Sequence, residues 1–304
     1  MNYLRLFGYK NLLFIAVSQL LIHYFFFKPF QVDISFNNLG ISLFLLSTLC
    51  LAAAGKCIIA VYNREADEVN NPQKTLVGKS ISEKTAVNLF ILLNVIAVGI
   101  GFYLSNGLGY PQFSAFYIIV SGLLYLYASF LRKQLLIGKL ILAVLAALVP
   151  IGIGLFELMP MITPQNQATQ NTIFSILLDY AVFAFLMTVL REILSGQINI
   201  DGDHKAQNET LSLKIGVERT NKILFFLNFV ILLAIFFYMY EFLFQNEIVV
   251  LYCLVLIMAP LIIFLIKIIS AKSKKDFLKL KLMLEIALWG GIFSIGLYRF
   301  VLLG

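Results

Sequence analysis

Two short stretches of this chain repeat one pair of side chains. Asn63-Arg64-Glu65-Ala66-Asp67 and Asn199-Ile200-Asp201-Gly202-Asp203 each place Asn at i and Asp at i+4. On a continuing helix that spacing puts the two side chains on one face, one turn apart. A Thr-Leu pair follows both stretches: Thr75-Leu76 eight residues after Asp67, and Thr210-Leu211 seven after Asp203. Alone, Asn-x-x-x-Asp is what many helices end on as they leave an apolar layer. Occurring twice with similar trailing residues, it points to one shared site.

The surrounding composition says what positions that site. The 304 residues are 61% apolar and 13% charged, with a mean hydropathy of +0.91. A soluble domain is nearer roughly 45–50% apolar and about 25% charged. Apolar runs fall near 11–29, 40–62, 84–105, 114–131, 136–157, 172–194, 222–242, 247–268 and 284–303. Each is about the length needed to cross a bilayer. The first run has no small-residue cleavage pattern and reads as a span, not a signal peptide. The expected architecture is therefore an all-α, polytopic membrane bundle of about nine transmembrane helices, one domain over 1–304.

Charge orients the bundle. With the N-terminus cytoplasmic, the inner segments hold Arg64, Lys74, Lys79, Arg132, Lys133, Lys205, Lys214, Arg219 and the cluster Lys272, Lys274, Lys275, Lys279 and Lys281. The outer segments 105–112 and 157–171 contain no Lys or Arg, and only Lys28 and Arg299 fall clearly outside. The positive-inside rule then predicts a cytoplasmic N-terminus and an outer C-terminus. The net charge of +7 sits in short loops beside the bilayer, so no nucleic-acid partner is expected. The long inner loops, 63–83 and 195–221, carry the two Asn–Asp pairs.

Other chemistries find little support. Cys50, Cys57 and Cys253 lie in apolar runs without metal spacing and read as packing residues. Gly78-Lys79-Ser80 lacks the upstream glycine of a nucleotide-binding loop. Asp179 in the sixth span could mark an ion path. Lys56 lies close enough to the inner face to snorkel, and His23 reads as a packing residue; no chain of such groups crosses the bilayer.

The segment from Asn70-Asn71-Pro72 to Thr75-Leu76-Val77-Gly78-Lys79 resembles the stretch after the first aspartate-rich motif of UbiA-type intramembrane prenyltransferases. Arg191-Glu192-Ile193 through Gly202-Asp203 and Thr210-Leu211 is similar to the region of the second motif. Tyr127 to Arg132-Lys133, then Ile137-Gly138, resembles the family's tyrosine–lysine segment. The resemblance covers nearly the whole chain and implies a UbiA-like bundle. It implies transfer of a prenyl group from a polyprenyl diphosphate to a hydrophobic acceptor: a lipid, a quinone precursor or a glycerol phosphate.

It also implies Mg2+ at Asp67 with Asn63 and at Asp203 with Asn199. Asp67, Asp203 and Tyr127 would serve catalysis. Lys74, Lys79, Arg132, Lys133 and Lys205, with Asn63 and Asn199, would bind the diphosphate. The chain departs from the family pattern identically in both motifs. Ala60 and Gly196 stand at the leading Asp, Asn63 and Asn199 at the middle one, and Ile59 at the leading Asn of the first. Four of six carboxylates are thus replaced, although Glu65, Glu68 and Asp201 lie close by in sequence. A kink at Gly202 could turn Asp201 inward. Two readings follow: an active prenyltransferase with a relaxed metal site, or a catalytically silent relative that binds a prenyl lipid or a protein partner. A transporter is a third.

Overall fold

The computed structural model describes residues 2–73 and 75–299. Among them, nine helices are long and apolar enough to cross a membrane. They are α1 (Tyr9–Phe27), α2 (Asn38–Tyr62), α3 (Glu83–Gly107), α4 (Pro111–Ser129), α5 (Ile137–Met161), α6 (Gln167–Ile198), α7 (Val217–Leu243), α8 (Glu247–Ile268) and α9 (Lys274–Leu297). The expected all-α, multi-pass bundle is what the chain forms.

Several boundaries differ from the sequence reading, the start of α9 most of all. Helix α6 runs from Gln167 to Ile198, beyond 172–194, and α9 starts at Lys274 instead of 284. The start of α9 is set by a capping box: the Ser273 hydroxyl accepts from the Asp276 N–H, and the Asp276 carboxylate accepts from the Ser273 N–H. Phe277, Leu280 and Leu284 then face inward while Lys274, Lys275 and Lys279 are exposed. The first turns of α9 are amphipathic, and a purely apolar run does not reveal such an end.

Antiparallel neighbours α2 and α3, and α5 and α6, form the most extensive pairs. One core gathers on α6 to α9 around Leu190, Leu194, Leu261, Phe264 and Leu284. A second joins α1 to α6 around Phe26, Phe44, Tyr117, Ile153 and Phe156. Lipid tails are as apolar as these side chains, so packing and interhelical hydrogen bonds must hold the helices together. Buried amides supply several. Asn228 Nδ2 donates to the Leu261 carbonyl at 2.8 Å, and Asn221 Nδ2 to the Ala271 carbonyl at 2.9 Å.

A buried polar latch lies at the end of the bundle opposite the Asn–Asp pairs. His23 Nδ1 and Glu157 Oε1 are hydrogen-bonded, and both side chains are almost wholly buried. The second oxygen of Glu157 accepts from the Phe36 N–H at 3.0 Å, and the Ser35 hydroxyl donates to the Phe156 carbonyl at 2.6 Å. This latch fixes the segment between α1 and α2 onto the end of α5. His23 is thus the hydrogen-bonded packing residue its sequence position suggests.

Candidate functional site

Both Asn–Asp pairs sit on the same local device. Helix α2 stops at Tyr62, Asn63 takes φ −100° and ψ 7°, and the chain resumes as a short helix Arg64–Asn70. Helix α6 stops at Ile198, Asn199 takes φ −107° and ψ 17°, and a short helix Ile200–Lys205 follows. In both, the Asp N–H donates to the Asn carbonyl at 3.0 Å, so the helical repeat survives the bend. The sequence similarity of the two loops is therefore a structural one.

The two short helices pack against each other at Gly202. Its N–H donates to Asn70 Oδ1 at 2.9 Å. A Cβ there would stand 2.2 Å from Asn70 Nδ2 and 2.4 Å from the Ala66 carbonyl oxygen. Glycine is needed for this close approach, not for a kink. Asp201 consequently stays exposed, which corrects the expectation that Gly202 could turn it inward. Glu68 is likewise engaged elsewhere: Arg64 bridges Glu68 at 3.0 Å and Glu83 at 2.7 Å.

Asp67 and Asp203 lie near enough to feel each other's charge, and Arg132 acts on both. Asp67 accepts from Asn63 Nδ2, and Asp203 from Asn208 Nδ2 at 3.0 Å. Burial lifts the Asp67 carboxyl above the usual carboxylate range; Arg132 and the Asn63 amide pull it back, and the Asp203 charge adds to the rise. Burial likewise lifts Asp203, against the Asn208 hydrogen bond and the charges of Arg132 and Lys139. Arg132 is carried by the tight turn Leu131–Lys133 after α4. Its Nη1 is buried with no hydrogen-bond partner in the protein. A buried guanidinium nitrogen without an acceptor is suited to an anionic oxygen from a ligand. Tyr127, 6% exposed, stands beside Arg132.

The other expected residues are placed differently. Lys79 is exposed and donates to the Pro72 carbonyl at 2.8 Å, tying down its own loop. Lys133 and Lys205 are exposed, and Asn199 is half-buried at its bend. Lys74 lies outside the described residues. Sequence reasoning placed Lys56 close enough to the inner face to snorkel and passed over Lys139. Lys56 is half-buried: its stem packs against Gly8, whose φ is +69°, and it lies within range of the charges of Asp67 and Glu192. Lys139, at the start of α5, faces Asp203 and Glu192. The available signal was a cation inside an apolar run, which needs a partner.

An apolar cavity of about 280 Å3 opens beside this cluster. Lys56, Ile59 and Arg191 line its polar end, and Ile22, Phe44, Phe116 and Tyr180 its far end. The twelve residues of α2 between Phe44 and Lys56 rise about 18 Å. That is room for an extended hydrocarbon tail lying along α2 with its charged head at the Lys56 and Arg191 end. A second cavity of about 230 Å3, between α6, α7, α8 and α9, contains Asp179, Tyr238 and Tyr298. Asp179 belongs to that separate cavity and does not join the charged cluster.

The donors do not fit a pair of magnesium ions. Each carboxylate already has one oxygen bonded to a side-chain amide. Asn63 and Asn199 each offer one neutral carbonyl oxygen where a carboxylate would offer two anionic ones. Among the described residues, no three of His, Cys, Asp and Glu come together as a metal cluster. Mg2+ binds through carboxylates and phosphates in near-ideal octahedral geometry. Two monodentate carboxylates sharing one arginine are a poor basis for two such ions.

The model of the UbiA prenyltransferase family matches residues 21–289. The digeranylgeranylglyceryl phosphate synthase of Sulfolobus acidocaldarius is 30% identical over 176 residues, covering 58% of this chain and 58% of that protein. The enzyme of the same description from Methanosphaera stadtmanae is 27% identical over 225 residues, 72% of this chain and 73% of that one. The match to the Sulfolobus protein thus spans less than two thirds of its length. A solved digeranylgeranylglyceryl phosphate synthase superposes with a TM-score of 0.60 at 19% identity, covering 97% of this chain and 98% of its own. A UbiA homologue from Archaeoglobus fulgidus, solved with GPP and Mg2+, gives 0.58 at 17% identity, with 97% and 99% covered. At these identities the structural likeness speaks to the fold.

Proposed function

Because the chain belongs to the UbiA prenyltransferase family, we propose that it is an intramembrane prenyltransferase acting on a prenyl diphosphate and a prenylated glycerol phosphate. The observation that carries this reading is Arg132: a buried guanidinium nitrogen without a hydrogen-bond partner, whose charge acts on two carboxylates, in a cluster with Lys56 and Arg191, which line the apolar cavity. The acceptor class is supported by the description shared by the relatives above. The concentration of Lys and Arg at this end of the bundle supports placing the site, and the N-terminus, on the cytoplasmic side.

The chemistry divides among the chain's own residues. The tail lies in the cavity, shielded from water, with Arg132 on the diphosphate. The C–O bond to the prenyl carbon breaks, and its electron pair leaves with the diphosphate, whose charge Arg132 stabilises. The prenyl carbon, now cationic, bonds to the acceptor hydroxyl oxygen. The hydroxyl proton passes to Asp67 or Asp203, which burial has made better proton acceptors. Tyr127 orients Arg132.

The test is incubation of purified protein with labelled geranylgeranyl diphosphate and geranylgeranylglyceryl phosphate. Aromatic acceptors run in parallel. Product is expected with the glycerol phosphate. Arg132→Ala is expected to lower the rate by about 100-fold or more, as for loss of a charge-stabilising donor, and Arg132→Lys by less. Tight diphosphate binding without turnover on any acceptor would establish a silent, lipid-binding relative instead.

A further inference from the structure

We propose that Lys56, inside the membrane-spanning helix α2, is a diphosphate-binding residue that does here the charge neutralisation for which the donor set cannot hold two metal ions. The inference rests on the prenyl-diphosphate reading above and deepens it.

Position comes first. Lys56, Ala60, Asn63 and Asp67 recur at four, three and four residues, so they share one helix face. Of these, Lys56 lines the end of the cavity, together with Arg191. A carboxylate at position 60 would stand one turn from Lys56 and pair with it. With Ala60 there, the ammonium has no i+4 partner and its charge is available to a ligand.

The side chain is also held. Gly8 packs on the Lys56 stem, with Cγ, Cδ and Cε between 3.1 and 3.3 Å from where a Cβ would be. At φ +69°, Gly8 lets the segment before α1 cross the stem closely. A cation within a span is costly and marks a functional role by default.

Charge completes the argument. Asp67, Asp203 and Glu192 face Lys56, Arg132, Lys139, Arg191 and Lys281. Cations outnumber carboxylates even before a ligand enters. Had the four replaced positions kept their carboxylates, the balance would be reversed, and divalent ions would be needed to bring a diphosphate in. The absence of carboxylates at 60, 63, 196 and 199 and the presence of Lys56 thus act in the same direction.

The experiment measures binding of an unreactive geranylgeranyl thiolodiphosphate to the full chain in lipid nanodiscs, with EDTA or with Mg2+. Wild type is expected to bind in both, with Kd values within about threefold. Lys56→Met is expected to weaken binding about 30-fold or more in both, the usual result of truncating a buried charged partner. Lys56→Arg should retain most of the affinity. Ala60→Asp should make binding depend on Mg2+. Thermal stability of the ligand-free protein is followed in parallel; a merely structural lysine would lower it, whereas a ligand-binding one leaves it unchanged or raised. Wild-type binding that requires Mg2+, or unaltered binding in a folded Lys56→Met, would overturn the inference and leave the prenyltransferase reading standing. No binding by wild type in either condition would overturn both.

Discussion

Gly202→Ala is expected to slow prenyl transfer roughly 100-fold while leaving the membrane bundle folded. The added methyl meets two obstacles. Asn70 Nδ2, at 2.2 Å, belongs to a side chain that can rotate away. The Ala66 carbonyl oxygen, at 2.4 Å, belongs to the backbone of the helix Arg64–Asn70 and cannot. The two short helices must therefore separate, and the hydrogen bond from the Gly202 N–H to Asn70 is lost with them. Overpacking of this kind costs about 1–3 kcal/mol. The kinetic cost is larger, because Asp67 and Asp203 ride on the helices that move apart. Misplacement by about 1 Å can cost on the order of 100-fold.

Adding Asn70→Ala to Gly202→Ala removes only the first obstacle, so the double variant should stay slow. Gly99→Ala, where nothing lies within 4 Å of the new methyl, should behave as wild type. The measurement is initial rate per folded protein, with size-exclusion elution as the check on folding. A Gly202→Ala protein that keeps a large part of its rate would show that the two carboxylates need not be held together.

How far the sequence could be read follows the range of each interaction. The nine spans are legible because burial in lipid requires long apolar runs. The start of α9 was missed because its first turns are half polar, although Ser273 and Asp276 spell a cap. The similarity of the two Asn–Asp loops is legible because the bend and its hydrogen bond are local. The contact at Gly202 joins residues 132 positions apart, and no local pattern announces it. Lys56 marks the same limit. Sequence gives its depth in the span, and depth alone is compatible with a side chain reaching outward. Its actual direction is decided by Gly8 and by rotation about α2, neither of which is encoded nearby.

The largest stability effect is expected at the far end of the molecule, from Glu157→Ala. Glu157 is wholly buried and satisfies three groups: His23 Nδ1 and the Phe36 N–H through its carboxylate, and the Ser35 N–H through its carbonyl. The alanine variant keeps only the last. It leaves an imidazole and a backbone N–H buried without an acceptor, and breaking such a pair costs about 3–5 kcal/mol. Thermal unfolding in detergent should therefore move to clearly lower temperature. Replacing both partners is a different case, since a buried pair exchanged for apolar side chains can be close to neutral. Glu157→Leu with His23→Phe should recover much of the loss, short of the unpaired Phe36 N–H. Catalysis should be indifferent. Lys139 and Glu157 are eighteen residues apart on α5, which is about 27 Å along its axis. Independent sites that distant combine with small coupling, so the rate per folded molecule should stay within about twofold. A folded Glu157→Ala protein with a much lower rate would mean that the latch does more than hold the bundle: it would set the floor of the tail cavity, whose far end at Ile22 and Phe44 packs directly beneath it.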